Sequence, residues 1–187
     1  GQTLLIRPIR PEDTALHREF IASMSADDFR LRFFCVAHEL SRRETARLVQ
    51  IDYSREMSFV AIEQPDGPLP RMIGVARAVV DPDNQDAEFA IAVASDAQRR
   101  GLGSLLMRRL IDYLTDRGTR RITGISLREN GGLRALVGAL GFHSRIDEGD
   151  QVRHTLVLAE APPPSTDFSP PSTTHHDRSR SSHRLLA

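Results

Sequence analysis

The chain contains no lysine; all 25 of its basic residues are arginine. It has no tryptophan, a single cysteine, and no apolar run near the roughly 20 residues that a membrane-crossing helix needs. Each absence removes a class of protein. A lone cysteine permits no internal disulfide. In RLRFFCV, Cys35 reads as a small core residue. Without lysine, the Gly-Lys-Ser/Thr nucleotide loop is impossible. Equal numbers of acidic and basic residues give a formal net charge of zero, which disfavours a nucleic-acid partner gripped by a broad basic face. The opening GQTLLIRPIRPED is too short in its apolar part for a secretory signal. The expected setting is therefore the cytoplasm. A start at Gly1 instead of methionine reads as a domain cut from a longer chain.

What is present divides in two. Residues 1–160 carry 3.6- and 2-residue apolar periodicities and read as one domain. From residue 161, APPPSTDFSPPSTTHHDRSRSSHRLLA is rich in Pro, Ser, Thr and Arg, and is expected to be disordered. His175, His176 and His183 there lack cysteine or carboxylate partners at ligand spacing, so no metal is expected. In the domain, TLLIRPI is a first strand. RPEDTALHREFIASM is a helix with Pro11 in its first turn and Leu16, Phe20 and Met24 on one face. SADDFRLRFF is a second helical piece, and SRRETARLVQI opens with a Ser41–Glu44 capping box. MSFVAIE, RMIGVARAVV and DAEFAIAV read as strands. The last alternates, with Phe89, Ile91 and Val93 on one face and Glu88, Ala90 and Ala92 on the other. A helix from Leu102 stops at Arg117 and Gly118. RRITGISL, a helix in NGGLRALVGALGF, and QVRHTLVLA complete the order. These elements predict an α/β (α+β) domain: a mixed, mostly antiparallel central sheet of six to seven strands with helices on both faces.

The loop QRRGLGS, residues 98–104, lies between an alternating strand and a helix. A helix start offers unpaired N–H groups and the positive dipole end, and glycine lets backbone approach a ligand closely. The dinucleotide fingerprint would need a third glycine where Leu106 stands.

Gln-x-x-Gly-x-Gly after such a strand, with EN and LGF downstream, resembles the pyrophosphate loop of the GNAT acetyltransferase family. The resemblance covers about residues 2–158. It implies the GNAT fold, with strands splayed at a cofactor cleft, and acetyl-CoA as cosubstrate without a metal. Backbone amides of Gln98, Arg99, Arg100, Gly101, Leu102, Gly103 and Ser104 would hold the pyrophosphate, with added charge from Arg99 and Arg100. The backbone of Ile91, Ala92 and Val93 would bond the pantetheine arm. Asn130 matches a position that contacts that arm, although a plain helix N-cap explains it equally well. Val137 stands where many members carry a tyrosine that protonates the leaving thiolate, so no tyrosine acid is expected.

Acetyl transfer requires a neutral amine, and a lysine amine with a pKa of about 10.4 is almost fully protonated at neutral pH. Glu88, beside small Ala90 and Ala92, is the candidate general base, expected in a buried position. Asp81, Asp83 and Asp86 would either attract a cationic acceptor or serve the turn. IRPIRPEDTALHREFIASMSADDFRLRFF, DPD and AEFAIAV are similar to the acetyltransferase domain of Pat-type bacterial protein lysine acetyltransferases. That resemblance implies a protein acceptor, such as an acyl-CoA synthetase, and no membrane partner. Two alternatives remain: a small-molecule amine acetyltransferase, and an acyl-CoA-sensing domain without catalysis.

Overall fold

The computed structural model describes residues 4–34 and 40–158; the expectations for Cys35 and for the tail lie outside them. Strand β1 (Leu4–Pro8) leads through a 3-10 turn at Pro11–Asp13 to α1 (Thr14–Ala22), α2 (Ala26–Phe33) and α3 (Arg42–Val49). Then come β2 (Glu56–Glu63), β3 (Arg71–Val80), β4 (Asp86–Val93), α4 (Leu102–Asp116), β5 (Arg121–Leu127), α5 (Gly131–Ala139), β6 (His143–Ile146) and β7 (Gln151–Val157). The seven strands form one sheet in the order β1-β2-β3-β4-β5-β7-β6. Every neighbouring pair is antiparallel except β4 and β5.

Local chemistry fixes the helix starts. Asp13 takes both ends of the Arg7 guanidinium, at 2.6 and 2.7 Å, and the Arg10 N–H at 2.8 Å. Burial alone would raise its pKa, but these donors outweigh burial and hold the carboxyl below its ordinary range. Ser25 caps α2 by accepting from the Asp28 N–H. Ser41 and Glu44 form the expected capping box on α3. Gly118, at φ +76°, lets the chain leave α4 in a left-handed conformation.

Helices cover both faces. On one, α1 packs on β3, α3 packs on α1, and α2 meets β4 and β5. On the other, α4 lies across β2, β3 and β4. Its Leu106, Leu110 and Leu114, spaced by four, are fully buried. A Cβ at Gly74 of β3 would come within 2.8 Å of Leu106, so glycine is what lets α4 sit this close to the sheet. Strand β6 is the seventh strand that the sequence allowed for without placing. All four of its residues are exposed, so it shows no apolar alternation, and it lies at the sheet edge.

Candidate active site

The site begins where two parallel strands part. β4 and β5 pair only at Asp86↔Arg121, Ala87↔Ile122 and Glu88↔Thr123. Beyond Glu88, β4 stays with β3 to Val93, while β5 follows β7. A wedge sits in the fork. A Cβ on Gly124 would lie 2.3 Å from the Phe89 ring, so the missing side chain on β5 makes room for that ring. Phe89 in turn meets Phe142 edge-on, with centroids 5.3 Å apart. The Ala94 N–H bonds the Ile73 carbonyl on β3. By alternation, the backbone groups of Ile91 and Val93 then point away from β3, into the fork.

The fork opens into a cleft of about 810 Å3. Its walls carry ten of the twelve residues expected at the site: Glu88, Ile91, Ala92, Val93, Gln98, Arg99, Gly101, Gly103, Ser104 and Asn130. Arg100 and Leu102 are the exceptions. Arg100 is exposed away from the cleft lining, and the Leu102 side chain is buried in the core, which leaves its N–H as the only group it can offer there.

The loop before α4 is shaped for an anion. Arg99 and Gly101 both have positive φ, +58° and +81°. Such turns gather successive N–H groups into a concave nest. The first helical bond of α4 runs from the Leu105 N–H to the Gly101 carbonyl, so the N–H groups of Leu102, Gly103 and Ser104 precede the ladder. Gly103 serves packing: a Cβ there would meet Leu136 of α5 at 3.2 Å. Gln98 serves the loop itself. Its amide donates to the Val93 carbonyl and to Asp28, both at 3.2 Å. Asn130 caps α5 by accepting from the Leu133 N–H at 2.9 Å, so its Oδ1 is already engaged. Val137, at the position of the usual tyrosine, is fully buried and does not line the cleft.

Helix α2 straddles the mouth. Asp28 bonds Ser95 and Gln98 on the α4 side, and Arg30 reaches Glu129 at 2.5 Å on the α5 side. The bond from Arg30 holds the Glu129 carboxyl below its ordinary range. Asp28, Leu31 and Arg32 line the cleft at helical spacing of three and four. Sequence reading missed them, although that spacing was visible.

One expectation needs correction, and one open alternative is decided. Glu88 is exposed at the fork rather than buried, because β5 turns away just past it. Asp81, Asp83 and Asp86, at the start of β4 and just before it, do not line the cleft. Asp81 accepts from the N–H groups of Gln85 and Asp86, Asp83 from Gln85, and Asp86 pairs with Arg121. They shape a turn.

A group of polar residues is shared among α1, α2 and β3. His17 of α1 is buried, and its Nδ1 has no partner. Desolvation, then Arg32 and Arg77, pull its pKa down to about 4, against a smaller upward pull from Asp13. Arg77 gives one bond to Glu56 at 2.7 Å, and its buried Nε has no partner. Arg32 is half-buried. Desolvation and Arg77 lower its pKa to about 10 while Glu88 acts upward, so it remains charged at neutral pH. Among the described residues, no three potential metal ligands come together, and no helix is long and apolar enough to cross a membrane.

Comparison with known proteins agrees with this geometry. The model of the acetyltransferase (GNAT) family matches residues 19–142. An acetyltransferase of Pseudomonas aeruginosa is 37% identical over 160 residues, covering 84% of this chain and 86% of that one. Acetyltransferase Pat of Mycolicibacterium smegmatis is 30% identical over 172 residues, or 91% of this chain; the match spans 49% of that longer protein. Among solved structures, the GNAT domain of S. lividans PAT superposes with a TM-score of 0.73 at 22% identity, over 82% of this chain and 89% of that one.

Proposed function

Because the chain belongs to the GNAT acetyltransferase family, we propose that it moves an acetyl group from acetyl-CoA to a lysine side chain on another protein. The nest at Arg99–Gly101 and the N–H groups of Leu102–Ser104 would hold the pyrophosphate. The backbone of Ile91 and the N–H of Val93 would bond the pantetheine arm, the Val93 carbonyl being taken by Gln98. The amine nitrogen attacks the thioester carbonyl, its proton passes to Glu88 directly or through one water, and the C–S bond breaks. With Val137 buried in place of a tyrosine, the sulfur leaves as thiolate.

The observation that carries this reading is the position of Glu88. It lies at the last residue pair of the fork, on the cleft wall, and exposed. A bulky acceptor can reach it there, whereas a small-amine enzyme would enclose its acceptor in a shaped pocket. The Pat-like helices beside the opening support the same choice, and an acyl-CoA synthetase is the acceptor this resemblance suggests.

The absence of lysine makes the test clean, since any acetyl-lysine in the mixture comes from the partner. Incubation with acetyl-CoA and an acyl-CoA synthetase should label a specific lysine, read by mass spectrometry. Glu88→Gln should keep cofactor affinity and lower turnover about a hundredfold, the scale of general-base catalysis. If no protein is labelled while a polyamine or aminoglycoside turns over, the small-molecule reading replaces this one.

A further inference from the structure

Among the described residues, Arg32 is a cation in the cleft that no hydrogen-bond or ion-pair partner holds. It lines the same wall region as Glu88, yet the two form no ion pair. Among the described residues, none gives Arg32 a hydrogen bond or a salt bridge; its guanidinium rests 4.7 Å from the ring centroid of Phe33. Glu88 is the one anion that attracts it, at a distance and without a bond. Arg77 behind it repels it and is itself taken by Glu56, and His17 is held uncharged by burial. Desolvating a guanidinium without a partner is costly, and a planar fork of donors matches a carboxylate in two parallel bonds.

We propose that Arg32 receives a carboxylate carried by the substrate. Resting on the acetyltransfer reading above, this names a feature of the substrate at that same cleft. Glu88 and Arg32 then divide the work: one takes the amine proton, the other an anion a short distance along the same molecule or on the acyl group. Two sources share this chemistry. The carboxylate belongs either to the acceptor, as an acidic residue next to the reacting lysine, or to the donor, as the end of a dicarboxylic acyl chain.

Paired substrates separate the sources. For the donor arm, acetyl-CoA and succinyl-CoA are compared, in turnover and in calorimetric binding without acceptor. For the acceptor arm, a lysine peptide with a neighbouring glutamate is compared with the same peptide carrying alanine, and a free amino acid with its amide. Each pair is measured on the wild type, Arg32→Gln and Arg32→Lys, with melting temperatures as the folding check. We expect wild type to favour the carboxylate-bearing member of one pair. In Arg32→Gln that preference ratio should fall at least tenfold, and Arg32→Lys should restore part of it. The pair that responds identifies the source. A variant that changes every substrate by one common factor would mean that Arg32 acts on the transition-state oxyanion or the fold, and overturns the proposal. No change at all, or no wild-type preference in any pair, overturns it too. Failure of the lysine reading shows separately, as wild-type inactivity on both peptides; the donor binding and amino-acid comparisons still decide Arg32.

Discussion

Replacing Gly101 with alanine tests whether a left-handed turn shapes the loop at the mouth of α4. Gly101 has φ +81°, and a Cβ added there meets no atom within 4 Å. Packing therefore adds nothing, and the whole cost is backbone conformation. For an L residue that cost is about 1–2 kcal/mol. Alanine relieves it by turning the loop out of shape, and a ligand that needs the original shape must restore it. Acetyl-CoA binding should then weaken by roughly 5- to 30-fold. Gly101→Asn should recover part of the loss, because its short polar side chain tolerates the left-handed region. Gly103 gives the contrast. Its Cβ would press on the flexible end of Leu136 at 3.2 Å, which can give by a few tenths of an ångström. Gly103→Ala should therefore shift Kd by no more than roughly threefold. Gly103→Val adds two methyl groups at the same contact. Overpacking of about 1–3 kcal/mol should weaken binding about tenfold or more. Calorimetric titration of folded variants with acetyl-CoA reads all four. Wild-type affinity in Gly101→Ala, or asparagine no better than alanine, refutes the reasoning.

Acid should weaken the fold through His17. Its folded pKa of about 4 lies below the ordinary 6.5, so its contribution is complete above pH 6.5 and is lost as pH falls toward 4. The loss should reach about 3 kcal/mol across that window in urea unfolding, and His17→Gln should flatten it; identical pH dependence in the two proteins contradicts the assignment. Asp28→Ala should free Ser95 and Gln98, lower stability by only about 1 kcal/mol, and speed amide exchange across residues 95–98. Unchanged exchange there would mean that α2 does not hold the loop.

Local signals were legible in the sequence because their causes are local. The alternation in DAEFAIAV places Phe89 inward and Glu88 outward, and Ser41 and Glu44 cap α3 as their spacing requires. The glycines of the loop marked the mouth of α4 for the same reason. What escaped notice depends on elements meeting across the fold. Asp28 holds Gln98 from 70 positions away, and Arg30 holds Glu129 from 99. Nothing in SADDFRLRFF says that its helix will bridge a fork. The exposure of Glu88 follows from where β5 parts from β4, a property of two strands and a phenylalanine wedge. Strand β6 could be counted but not placed, because an edge strand exposed along its length has no apolar pattern to show.

The fork also divides the molecule mechanically. β1 to β4 form one half-sheet and β5, β7 and β6 another, sewn together by a seam of three residue pairs at one end. Elsewhere the halves touch through the Phe89 ring against Gly124 and Phe142, through helices, and through surface ion pairs that resist little. Such a seam is where a domain opens first, well below the free energy of global unfolding. A ligand held as proposed, along β4 and beside α5, would work as a second seam. Such occupancy would tie the two half-sheets more firmly where the strands have parted.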